Sequence, residues 1–247
     1  MPREWDAKTY DELRLPHEEW GRRVVERLAT TGLRGDELVL DAGCGTGRDA
    51  ELLRKRWPGI RLIALDGSRR MLDVARERLG PDGVEYCHAD LGRPLDLDTP
   101  VDAVVSVAAF HWVRDHDALF GSLARAMKVG ATLTSDCGGR GNVAAVNAAI
   151  ARVTGVPNDE WQFADAQDTR TRLERAGFQV VRCELRADPF RIDDPRTLDA
   201  FLGSVVLGTY LAALPGSEHA EFVSQVRLAL EEPVIDYVRL EIDAVLR

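Results

Sequence analysis

Glu37-Leu38-Val39-Leu40-Asp41-Ala42-Gly43-Cys44-Gly45-Thr46-Gly47 is the stretch whose reading decides the fold. Leu38, Val39 and Leu40 read as the end of a strand buried on both faces. Three alternate glycines follow it, and backbone without Cβ atoms can approach a ligand that any other residue would hold off. The pattern predicts a helix from Thr46 to Trp57, with Leu52, Leu53 and Trp57 recurring on one side. Its free N–H groups and positive dipole end face the same crevice, where a carboxylate or phosphate can sit. The crevice is therefore a nucleotide-type pocket.

Two glycine fingerprints compete for this pocket. A dinucleotide loop, G-x-G-x-x-G, needs its third glycine where this chain has Arg48, and a large side chain there holds helix and strand apart. The glycines are instead one residue closer, with Asp41 two residues before the first. This D-x-G-x-G-x-G loop resembles motif I of the class I S-adenosylmethionine-dependent methyltransferases, matching it at every position from Val39 to Gly47.

Outward from the loop, strand and helix patterns alternate. Ile60–Asp66 reads as a second strand; Ser68 is a good N-cap for a helix carrying Met71, Leu72, Ala75 and Leu79, which Gly80 stops. Strands follow at Val84–Asp90, Val101–Ala109 and Ala131–Cys137, with a helix over Asp115–Lys128 that places Leu119, Leu123 and Met127 in register. Thr171–Ala176 reads as a helix ended by Gly177, Phe178–Leu185 as a sixth strand. In the last, Val238, Leu240, Ile242, Ala244 and Leu246 alternate with Arg239, Glu241, Asp243 and Val245, the pattern of a half-buried strand. The expected fold is α/β: a doubly wound, Rossmann-like, seven-stranded and mostly parallel sheet with an antiparallel last strand.

Four regions are expected. Residues 1–34 form a lid, with Trp5, Tyr10 and Leu15 followed by a helix that Pro16 opens and that carries Trp20, Val24 and Leu28. Residues 35–194 form the cofactor-binding core, with a cap segment near 138–165. Residues 195–232 form a helical insert whose first helix, with Leu198, Phe201, Leu202, Val205, Val206 and Leu211, is apolar nearly all round; it must bury itself as a roof over the carboxyl end of the sheet. Residues 233–247 return as the last strand.

Bulk properties narrow the function classes. The 247 residues are 45% hydrophobic and 30% charged, an ordinary globular balance, and the net charge of −9 gives no phosphate-neutralising footprint, so no nucleic-acid partner is expected. Cys44, Cys87, Cys137 and Cys183 have no C-x-x-C spacing and read as reduced, buried residues. The charged Met1–Asp11 does not look like a signal peptide, and the longest apolar runs are too short to cross a membrane. A cytosolic protein, monomer or homodimer, is expected, with no metal-ligand spacing and no Ser-His-Asp arrangement.

The cofactor residues follow from position and from the resemblance. Asp66 ends the second strand 25 residues after Asp41, where an acid can accept hydrogen bonds from a ribose diol. The resemblance implies that Asp90 binds the adenine amino group, with Ala89 beside it and Leu91 supplying a backbone N–H, and that Met71 packs on the purine. It also implies cofactor contacts from Tyr10, Gly43, Cys44, Gly45, Gly47, Gly67 and Ser106, with Asp41 orienting the loop. The combination of Trp5-Asp6 and Tyr10, Pro16-His17-Glu18-Glu19-Trp20-Gly21, Phe110-His111-Trp112, Cys137-Gly138-Gly139-Arg140-Gly141-Asn142 and Asp236-Tyr237-Val238-Arg239-Leu240 resembles the trans-aconitate methyltransferase-like subgroup. It departs from the pattern at Val129-Gly130-Ala131, where the family usually has Pro-Gly-Gly, and at His17, where relatives often carry glutamine.

The resemblance implies methyl transfer from S-adenosylmethionine to a small molecule, most plausibly at an oxygen and at a carboxylate, leaving S-adenosylhomocysteine. A carboxylate of pKa about 4.3 is already ionised at neutral pH, whereas a phenol near 10 is about three units short, a deficit of about 4 kcal/mol. An acid substrate thus needs a cation and a hydroxyl substrate needs a base. His111 suits either need, or ties the loop structurally. Arg140 is either a carboxylate clamp or a solvated arginine. Trp112 reads as a pocket wall, and His17 and Trp20 as lid residues facing substrate. The alternatives are an enzyme that uses the sulfonium for a non-methylating step such as cyclisation, and a cofactor-binding partner protein without turnover.

Overall fold

The computed structural model describes residues 16–156 and 161–247. Trp5, Tyr10 and Leu15 lie outside the described residues, as do residues 157–160 of the cap segment. Helix α1 (His17–Ala29) precedes β1 (Leu38–Ala42), α2 (Arg48–Arg56), β2 (Arg61–Asp66), α3 (Arg69–Leu79), β3 (Val84–His88) and β4 (Val101–Val107). A 3-10 turn over Phe110–Trp112 leads to α4 (His116–Ala126), β5 (Met127–Gly138), α5 (Ala144–Thr154), α6 (Ala166–Arg175) and β6 (Phe178–Ala187). The chain then forms β7 (Phe190–Arg191), α7 (Pro195–Phe201), α8 (Gly208–Ala212), α9 (His219–Ala229), β8 (Val234–Ile235) and β9 (Val238–Leu246).

Among the described residues, seven strands form one sheet in the order β3-β2-β1-β4-β5-β9-β6. β1 pairs in parallel with β2 and β4, and β9 lies antiparallel between β5 and β6. The sequence therefore folds as expected at this level. The order reverses between β1 and β4, which opens a crevice above their carboxyl ends. Side chains of β1 divide strictly between the two faces: Val39 packs with α1 and α2, whereas Leu38 and Leu40 pack with Leu119 and Leu123 of α4 and Leu173 of α6. Burying each such aliphatic side chain contributes about 1.5–3 kcal/mol. No helix among the described residues is long and apolar enough to cross a membrane.

Two expectations need correction. Met127 does not continue α4: it opens β5, which starts four residues before Ala131 and holds Met127 opposite Val101. Helical spacing of one methionine was outweighed by strand pairing. More consequentially, the polar alternates of β9 do not face water. Arg239 and Glu241 are buried, because α1 lies across this face of the sheet. Their charges are paired instead of solvated. Arg27 on α1 donates to Asp243 at 3.1 Å and to the Ser135 carbonyl at 2.6 Å, and Arg186 donates to Glu241 at 2.7 Å. Trp20 Nε1 and Arg23 both donate to Asp188, at 2.6 and 2.8 Å, and so tie α1 to the end of β6. Buried charges persist only when paired in this way.

The insert from α7 to α9 begins at Asp194, whose carboxylate accepts from Thr197 N at 2.8 Å while Pro195 occupies the first turn. Leu198, Phe201, Leu202, Val206, Val223 and Val226 are buried in one cluster with Trp20 and with Val146 and Ile150 of α5. Val205 and Val206 reach the cavity described next.

Candidate active site

A cavity of about 1260 Å³ lies over the carboxyl ends of β1, β2 and β4. Its floor is the glycine loop. Gly43, Gly45 and Gly47 all have positive φ, 87°, 53° and 80°. A Cβ on Gly43 would collide with Ala109, and one on Gly47 would meet Leu79 at 3.0 Å and Ala75 at 3.3 Å. Gly45 has open space instead and borders the cavity. The first and third glycines thus permit close packing, and the second leaves room for a ligand.

Asp66 braces this loop. One carboxylate oxygen accepts from Gly45 N at 2.9 Å and the other from Ser68 N at 2.8 Å, with Ser68 Oγ accepting from Met71 N at 3.3 Å as the N-cap of α3. Cys44, Asp66, Gly67, Met71, Asp90 and Leu91 line the cavity with Gly43 and Gly45. Asp41 and Gly47 lie behind the floor, outside this lining. Two further residues differ from expectation. Ser106 donates its hydroxyl to the Ala42 carbonyl at 2.7 Å and is buried beneath the site; Ala89 is likewise absent from the lining, with its N–H donated to the Asp66 carbonyl at 3.2 Å. Both support the backbone of the pocket and present no group to it. Tyr10 lies outside the described residues.

The floor is acidic. Both carboxylate oxygens of Asp41 are buried, and burial, reinforced by Asp49 and Asp66 against the Ala50 N–H, holds its pKa well above the usual range. Asp49, on α2 at the cavity wall, is pushed up to about 7, chiefly by burial, against the pull of Arg48. α1 passes so close that a Cβ on Gly21 would strike the Asp49 carboxylate. An acid pair that burial disfavours as anions, beside an open glycine, suits a cationic nucleoside, and S-adenosylmethionine carries a sulfonium and an ammonium. The residues present fit that cofactor.

The opposite end is aromatic. His111, in the turn after β4, is buried, and its Nδ1 accepts from Gly138 N at 3.2 Å. Its pKa is held well below 6.5 by burial first and then by the nearby Arg239 and His17. The ring is therefore neutral with its hydrogen on Nε2. It cannot offer the charged hydrogen bond considered above, and Nδ1 is not available as a base. His111 lies against Trp112 and Phe163, with ring centroids 5.3 and 5.7 Å away, and Trp161 extends the wall at 5.4 Å from Phe163. His17 and Trp20 bring α1 to the same cavity, with His17 lowered to about 3 by burial and then by Arg239 and Arg48.

Arg140 is a correction. It is exposed, makes ion pairs with Asp165 at 3.5 Å and Asp168 at 3.9 Å, and does not line the cavity. Its backbone N–H bonds the Ala164 carbonyl at 2.9 Å within the turn after β5. Among the described residues the buried cation of the cavity is Arg239, from β9. Its Nε donates to Asp136 Oδ1 at 2.6 Å, its Nη2 to the Asp136 carbonyl at 3.2 Å, and its guanidinium stacks 3.5 Å from the Trp20 ring. Nη1 makes no hydrogen bond with the described residues. Sequence reasoning placed Arg239 on a solvated strand face and missed Trp161, Phe163 and Asp49. The available signal was the mixed sign of that face, where Arg239 stands two residues from Glu241 and four from Asp243, charges that can pair with partners when covered. Ala108 was missed as well: it lines the cavity with φ 55°, a conformation unusual for a residue other than glycine and often found at functional sites.

Comparisons with known proteins agree with this geometry. A family model described as a methyltransferase domain matches residues 39–130. The trans-aconitate 2-methyltransferase of Methylobacterium nodulans is 31% identical over 241 residues, covering 98% of this chain and 85% of that protein. The malonyl-[acyl-carrier protein] O-methyltransferase of Xylella fastidiosa is 31% identical over 62% of this chain and 52% of its own length. Among solved structures, magnesium protoporphyrin IX methyltransferase from Synechocystis PCC 6803 with bound S-adenosylhomocysteine superposes with a TM-score of 0.61 at 17% identity, covering 96% of this chain and 86% of that one.

Proposed function

The chain belongs to the class I S-adenosylmethionine-dependent methyltransferases, in the trans-aconitate 2-methyltransferase-like subgroup, and from this premise we propose that it esterifies a carboxylate of a small molecule. S-adenosylmethionine is its cofactor. When bound, that cofactor supplies an electrophilic methyl group: a carboxylate oxygen forms the new O–C bond as the S–C electron pair leaves with sulfur, the two charges cancel, and no proton has to be removed.

The observation that carries the carboxylate reading is the imbalance of donors and bases at the aromatic end. Arg239 Nη1, Trp161 Nε1 and the Nε2–H of His111 are N–H groups without a hydrogen bond among the described residues, in three side chains that line the cavity. The carboxylates that line it belong to the first turn of α1, to α2 and to the ends of β2 and β3. Asn142 Oδ1, an acceptor in the lining, is engaged by Val238 N at 2.9 Å. Such a chamber suits an acceptor that is already an anion, and burial makes the histidines among its described residues, His111 and His17, poor bases for a hydroxyl. Holding the oxygen in line with the methyl group can contribute roughly 7–11 kcal/mol.

The roles proposed for single residues follow. Asp66 and Asp90 grip the ribose and adenine, Leu91 supplies a backbone N–H to the base and Met71 packs on it, and Asp49 with Asp41 behind it balances the cofactor's positive charge. Trp20, Trp112 and His17 shape the acceptor chamber. A net charge of −9 supports a small acceptor over nucleic acid, and the cytoplasm is the location proposed.

The test is transfer of labelled methyl from S-adenosylmethionine to a panel of carboxylic acids, phenols and amines, with S-adenosylhomocysteine measured by mass spectrometry. Alkali-labile label in acids, with equimolar S-adenosylhomocysteine, is the expected result. Label only in phenols or amines removes the carboxylate reading. A product formed without S-adenosylhomocysteine points to a non-methylating reaction.

A further inference from the structure

We infer that the acceptor is a monocarboxylic acid with an apolar body, planar or aliphatic, and that Arg239, held by Asp136, is the residue that recognises its single carboxylate. This deepens the proposed reaction and rests on it.

Among the described residues, one buried cation faces the aromatic end. That cation is Arg239, ion-paired with Asp136, whose other carboxylate oxygen Arg186 approaches at 3.8 Å. It offers N–H groups in fixed positions, pre-set by that ion pair and by stacking on Trp20. The other arginines of the lining serve elsewhere. Arg22 pairs with Glu19 and Glu26, Arg48 with Glu18, Arg78 with Glu51 and the Thr46 carbonyl, and Arg114 stands exposed beside Val113 at the rim. A second or third carboxylate on the acceptor would enter a low-dielectric wall with no cation assigned to it.

The walls indicate what accompanies the carboxylate. Trp112, Trp161 and Phe163 form a continuous aromatic surface, and Val205 and Val206 of the insert face the same cavity. Such surfaces pack planar or aliphatic bodies. Trp161 Nε1 is shut from water with no acceptor among the described residues, so an incoming carboxylate oxygen would satisfy it. The volume, about 1260 Å³, exceeds that of a pocket for one small ligand, and leaves space for such a body beside the cofactor. A relative named for trans-aconitate, a tricarboxylate, thus differs from this chain in the acceptor that each chamber would take.

The test compares trans-cinnamic acid and octanoic acid with succinic acid and trans-aconitic acid. Methyl-ester formation is measured, and so is direct calorimetric binding of each acid to the protein saturated with S-adenosylhomocysteine. The monoacids are expected to exceed the polyacids by about tenfold or more in kcat/KM and to bind more tightly. Equal or better binding and turnover of trans-aconitic acid overturns the inference while leaving carboxylate methylation intact. Label confined to phenols or amines removes the underlying reading as well. In Arg239→Lys, affinity for the monoacid should fall about tenfold with cofactor affinity unchanged, which also shows that the variant folds. Trp161→Phe, at a half-buried position, should raise the KM of the monoacid about threefold to tenfold with little change in kcat. Unchanged monoacid affinity in both variants overturns the role assigned to Arg239 and its partner donor.

Discussion

Nε of Arg239 lies 2.6 Å from a carboxylate oxygen of Asp136, which is fully buried while Arg239 keeps 1% exposure toward the cavity. The pair joins β9 to β5 across the strand order, and its arginine forms part of the cavity wall. Burial raises the Asp136 pKa even though Arg239 opposes it. A buried pair of this kind fixes the guanidinium in place while costing both charges their hydration.

Removing one partner is expected to cost more than removing both. Asp136→Ala leaves the Arg239 charge unpaired in the interior and should lower unfolding free energy by about 3–5 kcal/mol, read from denaturant midpoints. Asp136→Leu combined with Arg239→Met should cost less than Asp136→Ala alone. A double variant that is the less stable of the two would mean that the pair is a net source of stability.

The loop glycines separate folding from binding. Gly43→Ala combines a left-handed backbone with a collision against Ala109, and should lose about 1–3 kcal/mol of stability. Gly45→Ala meets no protein atom within 4 Å, yet its methyl group borders the cavity. It should cost less stability and weaken S-adenosylmethionine binding further. Thermal melts and calorimetry on both variants distinguish the two effects.

Asp66→Ala removes the acceptor for Gly45 N and Ser68 N as well as the proposed ribose partner. Hydrogen bonds to a charged group contribute about 1.5–3 kcal/mol, so cofactor affinity should drop by roughly tenfold to a hundredfold. Unaltered affinity by calorimetry would withdraw the ribose assignment.

pH acts through two groups in opposite senses. Asp49 ionises at about 7 in the folded chain against 3.8 in the unfolded one. Between those values the folded state holds the extra proton, and stability from this group falls as pH rises. A cationic cofactor favours the ionised form, so its binding should tighten between pH 6 and 8, and Asp49→Asn should flatten that change.

His17 stays neutral down to about 3 against 6.5 when unfolded, so its stability contribution is lost as pH falls through that window. At pH 5 the difference is roughly 1–2 kcal/mol. His17→Gln should recover it, seen as a smaller drop in melting temperature between pH 7.5 and 5.

What the sequence determined by itself was local. Glycine spacing from Gly43 to Gly47, the Ser68 cap and the alternation of apolar strands with amphipathic helices identify the doubly wound sheet and its cofactor, because each depends on neighbours within a few residues. Tertiary structure decided the acceptor end. Period-two alternation in β9 assigns Arg239 and Glu241 to the face opposite Leu240, but cannot say that α1 will cover that face. Arg140 beside glycines resembles a clamp until the turn after β5 directs it toward Asp165 and Asp168. Trp161 and Phe163 join His111 because Gln162 N bonds the His111 carbonyl at 2.9 Å, across about 50 residues of chain. Burial and pairing between distant segments set which charges survive in the cavity, and no local pattern contains that information.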